Sequence, residues 1–135
     1  MTAFKGSALT LQWITPAGTL ALDVDYRTWS YTPSIEMLDQ TAGADTARSY
    51  VAGFKDGQAQ AAGLIQAGSL YAYATALTEG QIGTIVFRPE GSAAGKFTGT
   101  IPAISNGLAQ NTVYDGLMEW SCSWMQNGAR SEGTL

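Results

Sequence analysis

The stretch TVYDGLMEWSCSWM, residues 112–125, decides how the chain is read. Tyr114, Met118, Trp120, Cys122 and Trp124 fall at one parity, and Asp115, Leu117, Glu119, Ser121 and Ser123 at the other. That two-residue period belongs to a strand with one buried face, and it predicts a strand over 112–125.

Outward from this stretch the same period recurs. Leu9, Leu11 and Trp13 predict a strand over 8–14. It turns at Thr15-Pro16-Ala17-Gly18 and returns over 19–24. Residues 28–38 carry Trp, Tyr, Thr and Ile, which fit a pleated surface. Trp29 and Tyr31 share a face there, and Pro33, lacking an N–H, makes this an edge or bulged strand. A strand over 48–54 meets Lys55-Asp56-Gly57, a tight hairpin turn, and a strand of small residues over 58–66. Further strands are predicted over 82–88, ended by Pro89, and over 96–105, with turns at 90–95 and 106–111. One helix is predicted over 69–79, with Ser69 as N-cap, Leu70, Tyr73, Ala74 and Leu77 at helical spacing, and Gly80 as its stop. The expected fold is mainly β: a two-sheet β-sandwich or barrel with one short flanking α-helix. A single domain spans 1–135, its last residues 127–135 a flexible tail.

Composition bounds the function. The chain has 135 residues, 45% of them hydrophobic and only 13% charged. That suffices for a core without disulfide or metal. Eleven acidic against seven basic residues leave a net charge of −4, which argues against a basic nucleic-acid reader. There is no histidine, the commonest general base and metal ligand. Cys122 is the sole cysteine, so neither an internal disulfide nor a cysteine-rich zinc site can form. The start, Met1-Thr2-Ala3-Phe4-Lys5, lacks the apolar core of a signal peptide. No apolar run reaches the roughly 20 residues of a membrane helix, so no membrane insertion is expected.

Catalytic motifs are absent. No phosphate loop or nucleophile elbow occurs, and a Ser-His-Asp triad is impossible. Asp115 and Glu119 share a predicted strand face and are the one carboxylate pair that could serve a hydrolase. A solvated face explains them more simply. Asp23, Asp25, Asp39 and Asp45 lack the spacing of a calcium loop. Cys122, between Trp120 and Trp124, reads as a buried small hydrophobe. The aromatics Trp29, Tyr31, Tyr114, Trp120 and Trp124 read as core or subunit interface. The alternative is a monomeric small-ligand-binding β-barrel with Trp29, Tyr31, Trp120 and Trp124 lining its pocket. Arg48, after the DQTAGADT loop at 39–46, is expected to pair with Glu36 or Asp39.

One family resembles this pattern. Ser34 to Thr41, then Ala42 to Tyr50, then Gly53 and Asp56-Gly57, are similar to the tail tube proteins of tailed bacteriophages. The matching residues are Glu36, Asp39, Thr41, Arg48, Gly53, Asp56 and Gly57. The helix at 69–79, the strand ending at Pro89, the Phe97-Thr98-Gly99 strand and the long closing strand follow in the family's order. The lean 58–66 strand and the short N-terminal segment depart from it. The resemblance implies a virion subunit without enzymatic activity or cofactor. Assembled in the host cytoplasm, it forms hexameric rings whose sheets join into an inner β-barrel. Rings stack into a tube that conducts double-stranded DNA, with tail tip, tape-measure and tail terminator proteins as partners. An acidic or neutral lumen would let DNA slide. Its candidates are Asp115 and Glu119, with Asp56 and Glu90 at hairpin tips. The loop carrying Asp39, Thr41, Asp45 and Arg48 would reach the neighbouring ring.

Overall fold

The structure, a computed structural model, describes residues 5–23 and 26–135. Residues 1–4, Val24 at the end of the expected return strand, and Asp25 of the acidic set lie outside the described residues. After a 3-10 turn at Gly6–Ala8 the chain forms β1 (Thr10–Thr15), β2 (Gly18–Ala21), β3 (Tyr26–Asp39), β4 (Tyr50–Leu64), α1 (Leu70–Ala76), β5 (Ile82–Arg88), β6 (Phe97–Asn111), β7 (Glu119–Gln126) and β8 (Ser131–Thr134). All pairings are antiparallel, in the order β2-β1-β5-β6-β7-β4-β3, with β8 also on β6.

This one sheet makes both layers of a sandwich, because β6 serves two neighbours. Its Gly99–Ile104 half pairs with β5 and its Ala103–Asn111 half with β7. The register slips between Ser105 and Leu108, where Gly107 takes φ +106°. A bulge of this kind bends a strand sharply. The curl carries β3, at the far end of the sheet, over β5. Trp29 of β3 stands 5.4 Å from Phe87 of β5 between ring centroids, and Trp124 of β7 lies 5.8 Å from Trp13 and 6.3 Å from Trp29. The sheet does not close into a barrel.

The core fills the curl. Leu11, Trp13, Ile85, Ile101, Trp120 and Trp124 are essentially inaccessible to solvent. The lean residues of β4 now have a reason. Ala59 is flanked across the sheet by Tyr31 and Trp124, and Ala61 by Trp29 and Cys122. A larger side chain there would displace an aromatic. Gly83 has the same role on β5, since a Cβ would come within 2.5 Å of the Ile14 carbonyl oxygen and 2.9 Å of the Trp13 ring. Gly83→Ala is therefore expected to cost about 1–3 kcal/mol by overpacking, read as a lower urea midpoint with unchanged slope.

Helix α1 plugs one end of the curl with buried Tyr73 and, just past its end, Leu77. Tyr73 meets the Trp120 ring edge-on at 5.1 Å, and Trp13 Nε1 donates to the Ala76 carbonyl at 2.7 Å. The helix is shorter than expected, and the Ser69 side chain does not cap it. Buried Ser105 anchors its C-terminal end, donating to the Leu77 carbonyl at 3.3 Å, while its backbone bonds Gly80 and Gln81.

Most of the remaining differences from the sequence reading share a cause, a glycine whose role is set by packing. The chain has two Asp-Gly pairs, and their roles are the reverse of those expected. Asp56-Gly57 makes no hairpin but lies within the continuous 15-residue β4. A Cβ on Gly57 would fall 2.7 Å from Gln126 Oε1 and 3.0 Å from the Tyr31 ring, so this glycine permits close packing. Asp115-Gly116 does turn, with Gly116 N–H donating to the Val113 carbonyl at 3.1 Å. The expected strand over 112–125 therefore begins at Glu119, and Asp115 shares no strand face with it. Likewise 106–111 continues β6 instead of turning, since Asn106-Gly107 makes the bulge. Residues 127–135, read as a flexible tail, carry β8, which pairs Ser131–Thr134 with Thr100–Phe97.

Candidate functional site

Three surfaces stand out, each set by pairing register. The first is the outward face of β3-β4-β7-β6, opposite the tryptophan core. Rows of partners cross it: Thr28-Ala62-Ser121-Ala109, then Ser30-Gln60-Ser123, then Thr32-Gln58-Met125. Asn106 Nδ2 donates to Ser123 Oγ at 3.1 Å. The surface is small, polar and mostly neutral. Its acidic groups stand towards the two ends of this face: Asp56 opposite Ser34, and Glu119 opposite Leu64. Arg27 borders the Glu119 end.

The second surface is a ribbon. β7 pairs with β4 only over Gln58–Leu64. Beyond it β3 and β4 run on as a two-stranded arm to Asp39 and Tyr50, projecting about 25 Å at strand rise. The arm exposes Ile35, Met37, Leu38, Tyr50, Val51 and Phe54, the last at 87%. Its tip is an ordered loop. Asp39 accepts the Thr41 N–H at 2.8 Å on Oδ1 and pairs with Arg48 Nη1 at 3.1 Å on Oδ2. Thr41 Oγ1 accepts the Ser49 N–H at 2.8 Å, and Asp45 Oδ2 accepts the Ala42 N–H at 2.8 Å. The Thr41 hydroxyl and N–H, aided by Arg48, hold the Asp39 carboxyl below its ordinary range. Because the folded value is depressed, this contribution to loop order is complete above the unfolded pKa and is lost as pH falls through the folded one. Arg48→Ala should leave the melting temperature unchanged, because the pair is exposed, while broadening the amide signals of 40–48; unchanged signals there would contradict the lock.

The third surface is a pair of free strand edges. No described residue pairs with the outer edge of β3, or with β6 beyond Ser105 on the side away from β7.

The sequence-derived candidates distribute over these surfaces. Asp39, Thr41, Asp45 and Arg48 come together at the ribbon tip, and Arg48 selects Asp39 over Glu36. Asp56 and Glu119 share the outward face, though Asp56 is mid-strand. Asp115 lies in the turn before β7, and Glu90 near the β5–β6 turn in the other layer. Trp29, Tyr31, Trp120 and Trp124 pack on other aromatics. Tyr114, expected beside Trp120, is fully exposed. Burial pushes the Cys122 thiol up to about 11. Among the described residues no group of three His, Cys, Asp or Glu side chains could hold a metal ion, and no helix is long and apolar enough to cross a membrane. The apolar ribbon was missed from sequence. Its signal was Ile35, Met37 and Leu38 occupying both parities, which marks a strand covered on both faces.

These features define an open β-sandwich with a helical plug, two free edges and a projecting arm. It is the tail tube fold. A chain of a native gene transfer agent virion superposes with a TM-score of 0.77 at 13% identity, covering 97% of this chain and 99% of that one. The SPP1 tail tube, a hybrid solid-state NMR and cryo-EM structure, gives 0.71 at 14% identity over 98% and 80%. A chain of the PVC extracellular contractile injection system sheath–tube complex in its extended state gives 0.69 at 9% over 98% and 93%. At such identities the likeness is one of fold. No family model and no curated protein matches the sequence.

Proposed function

We propose that the chain is a structural, non-enzymatic tail tube subunit of a phage or phage-like particle. The observation that carries this is the four-stranded section β3-β4-β7-β6. It is packed on one face, bears neutral polar side chains on the other, and has a free edge on each side. An even number of antiparallel strands leaves its two edge strands running in opposite directions. Copies related by rotation can therefore pair β3 of one with β6 of the next antiparallel, and a closed ring removes edges that would otherwise aggregate.

Six copies make the ring in this reading, and rings stack through the ribbon and its Asp39–Arg48 loop. The exposed apolar side chains of the ribbon suit burial against another subunit. The Ser, Thr, Gln and Ala face lines the bore, with Asp56 and Glu119 at its ends, so that double-stranded DNA meets no lysine row. Tip, tape-measure and terminator proteins complete the tail, assembled in the host cytoplasm and carried in the virion. Ser30→Cys combined with Ala109→Cys or Asn111→Cys tests the ring. Oxidised assemblies should give a covalent ladder ending at six subunits. A ladder ending elsewhere overturns the hexamer, and no cross-links between copies in assembled material overturn the edge pairing.

A further inference from the structure

We infer that Pro33 ends the β-ladder between neighbouring subunits and thereby keeps the β3–β4 ribbon a separate arm; this rests on the ring reading above. Thr32 closes the last row of the four-stranded section, through Gln58 to Met125 and, across β6, Ile104. The next residue of β3 is Pro33, opposite Gly57, where β7 has already left β4. The proline therefore stands at the boundary between sheet and arm, on the exposed outer edge of a 14-residue strand.

An edge strand accepts proline where the missing N–H would face solvent. By the two-residue alternation of an antiparallel ladder, Trp29 and Tyr31 turn their N–H groups outward in the same way. A neighbour's strand can bond at those two positions and finds no donor at 33. The lengths agree with this. The edge before Pro33 is Tyr26–Thr32, broken by the irregularity between Tyr26 and Thr28. The opposing free edge of β6 is limited to 106–111, because the Ser105 N–H and carbonyl are already bonded to Gln81 and Gly80. Without the proline, Ile35 would extend the free edge up the arm. The β6 edge of a ring neighbour ends at 106 and cannot follow, so the arm would be zipped to the arm of a stray copy and withheld from the next ring.

The test reads backbone amide exchange, residue by residue, in free subunits and in tubes grown on particle tips. Wild type is compared with Pro33→Thr and Pro33→Val, both good strand formers. In wild-type tubes the Trp29 and Tyr31 amides should slow at least about tenfold while Ile35 does not. In the variants the amides of residues 33 and 35 should slow as well, with open sheets replacing part of the tubes. If both variants form normal tubes and Ile35 exchanges as in wild type, Pro33 is not a terminator. If Trp29 and Tyr31 are unprotected in wild-type tubes, the edge reading itself fails. Should neither variant form tubes, the same amides are read in concentrated subunits. Edge-paired dimers that protect Ile35 support the inference, and folded monomers that do not overturn it.

Discussion

Trp124→Ala is expected to remove about 3–5 kcal/mol of stability, a large part of the 5–15 kcal/mol typical of a domain. Trp124 is fully buried and touches both layers, lying against Trp13 of β1 and Trp29 of β3. Its strand neighbours are Ala59 and Ser105, which are too small to fill the space it would leave. The cavity would remain, and its lining would lose contacts on every side. At a slope of about 2 kcal/mol/M the urea midpoint should fall by about 2 M. Trp124→Phe should cost much less. Trp124 Nε1 has no hydrogen-bond partner among the described residues, so the change gives up ring volume but no bond. Trp13→Phe should cost more than Trp124→Phe, because it also breaks the 2.7 Å bond to the Ala76 carbonyl that pins the helix. A midpoint shift under 0.5 M for Trp124→Ala would contradict this account of the core.

The second large effect concerns the bore. Gln60→Lys with Glu119→Lys places two cations per subunit on the outward face, at positions that pack against no core residue. Tubes should still form. Wild-type tubes should hold double-stranded DNA weakly or not at all. The variant should retain it at low salt and release it steeply as salt rises. Each phosphate neutralised contributes about −0.9 to the slope of log affinity against log salt, so six engaged lysines give about −5. The measurement is retention of duplex DNA on assembled tubes across a salt series. Variant tubes that assemble normally and retain no DNA would show that this face does not line the passage.

The legible and illegible parts of the fold divide on physical grounds. Alternation exposed the half-buried aromatics of β3 and the buried ones of β7, because a half-buried strand repeats every two residues whatever its neighbours are. Pro89 and the compact apolar run of Ile82–Arg88 marked β5 without ambiguity. The Asp39–Arg48 lock was legible as a choice of partners, since both residues flank one short loop. Asp-Gly, by contrast, carries a turn preference that tertiary packing overrides. At Gly57 the Tyr31 ring and Gln126 occupy the space of a side chain, so the glycine serves contact and the strand runs through. At Gly116 only Val113 of its own turn stands close, and the chain turns. The same conflict hid the continuity of β6, where Asn106-Gly107 makes a bulge that bends the sheet instead of ending the strand. Asp115 left the strand face for this reason, whereas Glu119 kept its place as the first residue of β7. Pro33 marked the free edge of β3, whereas the free edge of β6 was the least visible feature, because an edge is defined by the strand that is missing beside it.

Electron cryo-microscopy of the full chain polymerised on particle tips would show ring, bore and arm in one measurement. Hollow tubes of stacked six-fold rings are expected. In them β3 of each subunit lies antiparallel to β6 of its neighbour, Ser30, Gln60 and Ser121 face the bore, and the ribbon reaches the adjacent ring. Subunits that stay monomeric in the presence of tips, or tubes in which the β3-β4-β7-β6 face points outward, would contradict the tube reading.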